Sequence, residues 1–110
     1  MDFKLIKEKD ALVEYLPNLI KAKVMAVDTE TTGLNPRIDR IRLIQLAVAG
    51  MPVFIIDCFY FLPEGLGMLK DALENGNVKI YQNAKFDLQF LKTLGINPSP
   101  VFEKLYSWFV

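Results

Sequence analysis

Short apolar segments alternate with amphipathic segments along the chain. Five segments have the length and composition of strands: Phe3–Ile6, a candidate edge strand, 24–27, 40–49, Val53–Asp57 and Val78–Tyr81. The turn residues Gly50, Met51 and Pro52 predict an antiparallel hairpin between the third and fourth of them. From Leu43 onward both faces of that third strand are largely apolar, which predicts a central strand covered on both sides.

Three segments have the periodicity of helices. The first is predicted to be capped by Asp10, although Pro17 within it weakens the prediction because proline removes a helix hydrogen bond. The second contains Leu66, Leu69 and Leu73 and ends at 75–77. The third is predicted to be capped by Asn83 and ended by Gly95. The apolar positions of the first and third are Leu12, Val13, Leu16, Leu19 and Ile20, and Phe86, Leu88, Phe90, Leu91 and Leu94. This order of elements predicts a layered α/β domain with a mixed sheet.

Composition narrows the class of protein. The chain has 110 residues, of which 52% are hydrophobic and 24% charged, so we predict a single globular domain over residues 1–110. The single cysteine, Cys58, excludes a disulfide scaffold. No apolar run approaches the ~20 residues that span a membrane, and the first residues are too charged for a signal peptide. We therefore expect a soluble cytoplasmic protein with no membrane partner.

The charged residues limit the chemistry. Lysine and arginine balance aspartate and glutamate at 13 each, so net charge gives no indication of nucleic-acid binding. The chain contains no histidine, which excludes histidine-dependent triads, dyads and zinc sites formed within it. Carboxylates without histidine or cysteine partners suit oxygen-binding ions such as Mg²⁺ and Mn²⁺.

Asp28 and Glu30 form the first candidate site. They are two residues apart at the end of an apolar strand, so the period of the strand places both carboxylates on one face, ~6–7 Å apart. Two anions there repel each other and are costly to desolvate, and a divalent cation would relieve both effects. A solvated strand end is the more common explanation of this pattern taken alone.

Asn83 and Asp87 form the second candidate site, where a strand turns into a helix. They are four residues apart, so they project from the same side of the first helical turn. The alternative is structural, because asparagine as an N-cap and aspartate in the first turn together stabilise a helix by ~1 kcal/mol.

Taken together, the two sites resemble a known family. The segment Asp-Thr-Glu-Thr-Thr-Gly-Leu at 28–34 resembles the first motif of the DEDD 3′–5′ exonucleases, which have a ribonuclease H-like fold. The segment Asn-Ala-Lys-Phe-Asp at 83–87 resembles their second motif, and the strands at 40–46 and Val53–Asp57 match in order. The similarity covers residues 3 to about 102 and is closest to the exonuclease domain of bacterial family A DNA polymerases.

The resemblance implies a function and a set of site residues. Asp28, Glu30 and Asp87 would be catalytic carboxylates that bind two Mg²⁺ or Mn²⁺ ions ~3.5–4 Å apart across the scissile phosphodiester. Thr31 would hold the 3′-terminal nucleotide, Leu34 would wedge against the terminal bases, and Asn83 would contact the strand. The partner would be the single-stranded 3′ end of DNA, with RNA as the alternative, and the family context adds a polymerase domain.

The resemblance fails near the end of the chain. The family completes its site with a third motif, Tyr-x-x-x-Asp or His-x-Ala-x-x-Asp, on a late helix. Only 23 residues follow Asp87, and none of them is aspartate or histidine. Tyr106 and Val110 have the spacing of the Tyr-x-x-x-Asp motif, but valine stands where the motif has aspartate. Tyr60 and Glu64 have the same spacing, but they precede the second motif. We therefore expect a ribonuclease H-like α/β domain that lacks the late helices and has weak or no nuclease activity alone. One alternative is a non-catalytic remnant of the same fold that binds nucleic acid or a protein. The other is an unrelated α/β domain.

Overall fold

Strands and helices alternate along the chain in the computed structural model, which describes residues 2–99 and 101–103. The strands are β1 (Phe3–Ile6), β2 (Val24–Thr31), β3 (Ile41–Ala47), β4 (Val53–Asp57), β5 (Val78–Tyr81) and β6 (Val101–Glu103). The helices are α1 (Lys9–Lys21), α2 (Pro63–Leu66), α3 (Lys70–Glu74) and α4 (Ala84–Lys92), and 3₁₀ turns lie at Cys58–Tyr60 and Gly67–Leu69.

The six strands form one mixed sheet in the order β1-β4-β3-β2-β5-β6. β3 is antiparallel to β2 and β4, and the remaining neighbours are parallel. The predicted β3–β4 hairpin is confirmed, and Gly50 at its turn has a φ of +79°, a conformation that glycine adopts without strain. Phe3–Ile6 is confirmed as an edge strand. The mixed-sheet α/β class predicted from the order of elements is therefore confirmed.

The helices pack on one face of the sheet, where the core lies. The strand side chains on this face and the helix side chains that meet them are fully buried: Met25, Val27, Ile44, Leu46, Phe54 and Ile56 from the strands, and Leu12, Leu19, Phe90 and Leu91 from the helices. Full burial of each such apolar side chain contributes about 1.5–3 kcal/mol to stability. This layer fixes β2 and α4 relative to each other, and these are the elements that carry the candidate site.

The opposite face of the sheet is apolar but largely open. Phe3, Leu5 and Val24 are 63, 51 and 48% exposed there, and Phe102 is 53% exposed. The prediction that β3 is covered on both sides is wrong for the described residues. Leu43 and its neighbours on that face are only half-buried, because the described helices lie on the other side.

Three local predictions need correction. Helix α1 begins at Lys9 after Glu8, so Asp10 lies in the first turn and does not cap the helix, while Pro17 is accommodated on its exposed side. The helix predicted through Leu66, Leu69 and Leu73 is broken by a 3₁₀ turn, because the glycines at 65 and 67 are poor helix formers. β6 was not predicted, since three residues carry too little alternation to indicate a strand.

None of the described helices combines the length and the apolar character needed to cross a membrane.

Candidate active site

The site forms where β2 extends beyond its neighbour β5. β5 ends at Tyr81, which pairs with Val27, whereas β2 continues to Thr31. The backbone N–H of Gln82 donates to the Val27 carbonyl at 3.4 Å, and α4 begins two residues later. The first turn of α4 therefore lies beside the last four residues of β2, and the two predicted motifs meet there. β2 also extends further than the predicted strand, so Asp28 and Glu30 lie within it.

Asp87 is the most buried member of the site. Its side chain is 1% exposed and accepts hydrogen bonds at both carboxylate oxygens. The Thr29 hydroxyl donates to Oδ1, and the Asn83 backbone N–H donates to Oδ2 at 3.2 Å. The Asp87 N–H donates in return to the Asn83 carbonyl at 2.9 Å. Asn83 is the N-cap residue of α4, as predicted, but its side chain makes no cap hydrogen bond, and its backbone N–H is the group that donates to Asp87.

The environment of Asp87 favours its protonated form. Burial, together with a smaller effect of the negative charge of Asp28, raises the pKa of this carboxyl from 3.8 to about 6. Hydrogen bonds from Thr29 and Asn83 oppose the rise in pKa. A carboxylate that is both desolvated and close to a second carboxylate is stabilised in its ionised form by a bound cation.

Glu30 lies on the same face as Asp28 but is engaged differently. The ladder runs from Glu30–Leu43 to Thr31–Ile41, so Arg42 is an extra residue in a β-bulge. The bulge allows the Arg42 guanidinium to approach the Glu30 carboxylate to 3.9 Å, and both side chains are more than half exposed. No three histidine, cysteine, aspartate or glutamate side chains among the described residues are arranged so that they could hold a metal ion. The structure thus places Asp87 against β2 at Thr29, within the electrostatic influence of Asp28, and pairs Glu30 with Arg42.

The loop after β2 is tightly organised by side chains of its own. The Thr31 hydroxyl donates to the Gly33 carbonyl at 2.6 Å. The Asp39 carboxylate accepts from the Asn35 N–H at 2.9 Å and from the Thr32 hydroxyl at 3.3 Å. These bonds hold the loop in one shape and leave Leu34 84% exposed. The exposure of Leu34 allows contact with a bound molecule.

Two residues at the site were missed from the sequence. Thr29 alternates to the opposite face from Asp28 and Glu30, and its contact with Asp87 joins residues 58 apart in the chain. Tyr81 is fully buried, and its hydroxyl has no hydrogen-bond partner among the described residues. Burial and the charge of Asp87 raise the pKa of Tyr81. The only available signal was position: Thr29 lies between two candidate carboxylates, and Tyr81 ends the strand that precedes the second motif.

The mixed six-stranded sheet and its helices form a ribonuclease H-like α/β domain. A family model described as 3′–5′ exonuclease matches residues 3–107. The chain therefore belongs to the 3′–5′ exonuclease family, as its motifs indicated.

Individual relatives agree with this assignment. The DNA polymerase I of Aquifex aeolicus is 30% identical over 105 residues, which are 96% of this chain and 17% of that protein. The structure of Escherichia coli RNase D, an exoribonuclease involved in structured RNA processing, superposes with a TM-score of 0.80 at 26% identity over 94% of this chain and 27% of that one. Brucella melitensis NrnC with bound Mg²⁺ superposes with a TM-score of 0.67 at 26% identity, over 94% of this chain and 50% of that one. The chain thus spans half or less of each of these relatives.

Proposed function

We propose that this chain is a metal-dependent 3′–5′ exonuclease domain that acts on the 3′ end of a nucleic acid strand. The observation that carries the proposal is the buried Asp87 carboxylate, bonded to Thr29 of β2 and influenced by the charge of Asp28, in a chain of the 3′–5′ exonuclease family. Their mutual repulsion and the burial of Asp87 make this point of the structure favourable for a divalent cation.

The donor chemistry fits Mg²⁺ or Mn²⁺, since carboxylate oxygens are the ligands these ions prefer. Asp28 and Asp87 would bind the metal, and Glu30 would join them after leaving its exposed pair with Arg42. When bound, such a metal activates water and stabilises the leaving 3′-oxygen. The Mg²⁺ bound in the related NrnC structure supports this choice of ion.

The surrounding residues would orient these ligands and the substrate. The Thr29 hydroxyl fixes one oxygen of Asp87, which leaves the orientation of the carboxylate defined. The exposed Leu34 would contact the terminal base, with Thr31 beside it at the sugar. Asn83, exposed at the start of α4, would contact the strand from the other side.

DNA is the substrate we favour. The Aquifex relative is a DNA polymerase, which suggests proofreading beside a polymerase domain as the physiological setting, in the cytoplasm. RNA is the alternative, because the structurally similar E. coli protein is an exoribonuclease. Both substrates are tested by the same assay with matched oligonucleotides.

We expect the isolated chain to be a weak nuclease. After Asp87 the sequence contains no aspartate and a single glutamate, Glu103, so the fourth carboxylate of the family pattern is missing from this chain. A non-catalytic domain that binds nucleic acid or a protein is therefore the second candidate. It shares the fold and differs in predicting no turnover under any metal condition.

The test is the release of nucleotides from 3′-labelled single-stranded DNA and RNA with Mn²⁺. We expect slow release from the 3′ end that Asp28→Ala abolishes and that Asp71→Ala, an exposed acid on α3, leaves unchanged. Rapid turnover that is lost in Asp28→Ala would contradict the expected weakness and confirm the exonuclease. Release from the 5′ end, or release insensitive to Asp28→Ala, would refute the proposed function.

A further inference from the structure

A groove of about 700 Å³ lies next to the acidic site and is not used by the proposed chemistry. It is lined by Thr31, Thr32, Arg42, Asp57, Phe59 and Tyr60, from the ends of β2 and β4, the start of β3 and the 3₁₀ turn after β4. Arg42 belongs to the groove and also pairs with Glu30. The groove therefore begins where the candidate active site ends.

Two aromatic rings are exposed along this groove. Phe59 and Tyr60 are 49 and 60% exposed, although they directly follow a buried strand. The turn that carries them is fixed, because Cys58 is buried beneath it and the Asp57 carboxylate accepts the Phe59 N–H at 3.2 Å. The two rings are thus held at the surface by a well-anchored turn rather than packed into the core.

Basic side chains accompany both rings. The Arg40 guanidinium lies 4.9 Å from the centre of the Phe59 ring, and the Lys7 ammonium lies 5.1 Å from the centre of the Tyr60 ring. Arg42 lines the groove itself and is paired with Glu30, while Asp57 adds one carboxylate to the lining and accepts the Phe59 N–H. A positively charged side chain therefore lies beside each of the two exposed rings.

We propose that this groove binds single-stranded nucleic acid, with bases stacked on Phe59 and Tyr60 and phosphates facing Lys7, Arg40 and Arg42. Exposed aromatic rings interleaved with cations are the arrangement that binds single strands without sequence preference. The inference rests on the proposed function, because it takes the groove as the path by which the strand reaches the carboxylates. The same groove would bind DNA and RNA, since stacking and phosphate contacts are common to both.

The experiment measures binding of 5′-fluorescein-labelled dT and rU octamers by anisotropy, with EDTA present. Removing metal separates the groove from the carboxylate site. We expect the double variant of Phe59→Ala and Tyr60→Ala to weaken binding tenfold or more, because both surfaces on which bases would stack are removed. Arg40→Gln should reduce the slope of log affinity against log salt by about 0.7.

Controls distinguish loss of stacking from loss of folding. Phe59→Trp keeps a stacking surface and should retain binding. Phe3→Ala removes an equally exposed ring from β1, paired with the opposite end of β4, and should have no effect. Four results would each overturn the groove proposal. They are unchanged binding in the double alanine variant, equal weakening by Phe3→Ala, absence of octamer binding, and binding of a poly-glutamate peptide in place of the octamers. Mn²⁺ binding and its loss in Asp28→Ala test the proposed function separately.

Discussion

Asp87 should make the stability of this protein depend on pH in a range where little else titrates. Its carboxyl has a pKa of about 6 in the folded protein, against 3.8 for the ordinary group. Because the folded state holds the proton more tightly, this contribution to stability is fully present below pH 3.8 and is lost as the pH rises through about 6. The complete change corresponds to about 3 kcal/mol.

Only part of that change in the free energy of unfolding falls between pH 5 and pH 8, where it can be measured without titrating the other carboxylates. Between pH 5 and pH 8 the same two pKa values predict that the free energy of unfolding decreases by about 1.4 kcal/mol. The chain contains no histidine, so the α-amino group is the other ordinary group that titrates in this window. Urea denaturation followed by far-UV circular dichroism at several pH values measures the decrease.

Asp87→Asn should remove this dependence. The asparagine offers one acceptor oxygen where the aspartate accepts at two, so the absolute stability also changes and the slope with pH is the informative quantity. Asp71→Asn, on an exposed residue of α3, should keep the wild-type slope. Equal slopes in the wild type and Asp87→Asn would refute the account of Asp87 as a buried carboxylate coupled to Asp28.

Three further predictions concern metal, loop and core. Mn²⁺ at a hundred times its Kd should stabilise the chain by about 2.7 kcal/mol in urea denaturation, and Asp28→Ala should abolish this stabilisation. Gly33→Ala should lower the thermal midpoint, because a Cβ there would overlap the Asp39 carboxylate that organises the loop; a midpoint within error of the wild type would contradict this. Phe90→Ala should cost about 3–5 kcal/mol in urea denaturation since the ring is fully buried beneath α4, and a cost under 1 kcal/mol would show that α4 is not packed as described.

Much of the fold could be predicted because its signals are local. The strands β2 to β5 each contain enough apolar residues to be recognised, and Gly50 marks the hairpin between β3 and β4. The order of strands in the sheet depends on parallel pairings between distant segments, such as β2 with β5, which no local pattern specifies. β6 was missed because its three residues carry too little alternation to indicate a strand.

The candidate site was also predictable only in part, because its local features follow from the sequence and its long-range contacts do not. The period of β2 correctly places Asp28 and Glu30 on one face, since the alternation of a strand is a local property. The contact of Asp87 with Thr29 was not predictable, because it depends on where β5 ends and α4 begins. The N-cap position of Asn83 was predictable from the local sequence, whereas the bond from its backbone N–H to the Asp87 carboxylate, in place of a side-chain cap, was not.

The most direct test of the central claim is Mn²⁺ binding, measured by electron paramagnetic resonance of the free ion during titration with the chain. The account predicts saturable binding that weakens at least tenfold in Asp28→Ala and in Asp87→Ala, and that Asp71→Ala leaves unchanged. Folding of each variant is checked by circular dichroism. The absence of saturable binding, or binding that survives loss of both Asp28 and Asp87, would contradict a metal site at the end of β2.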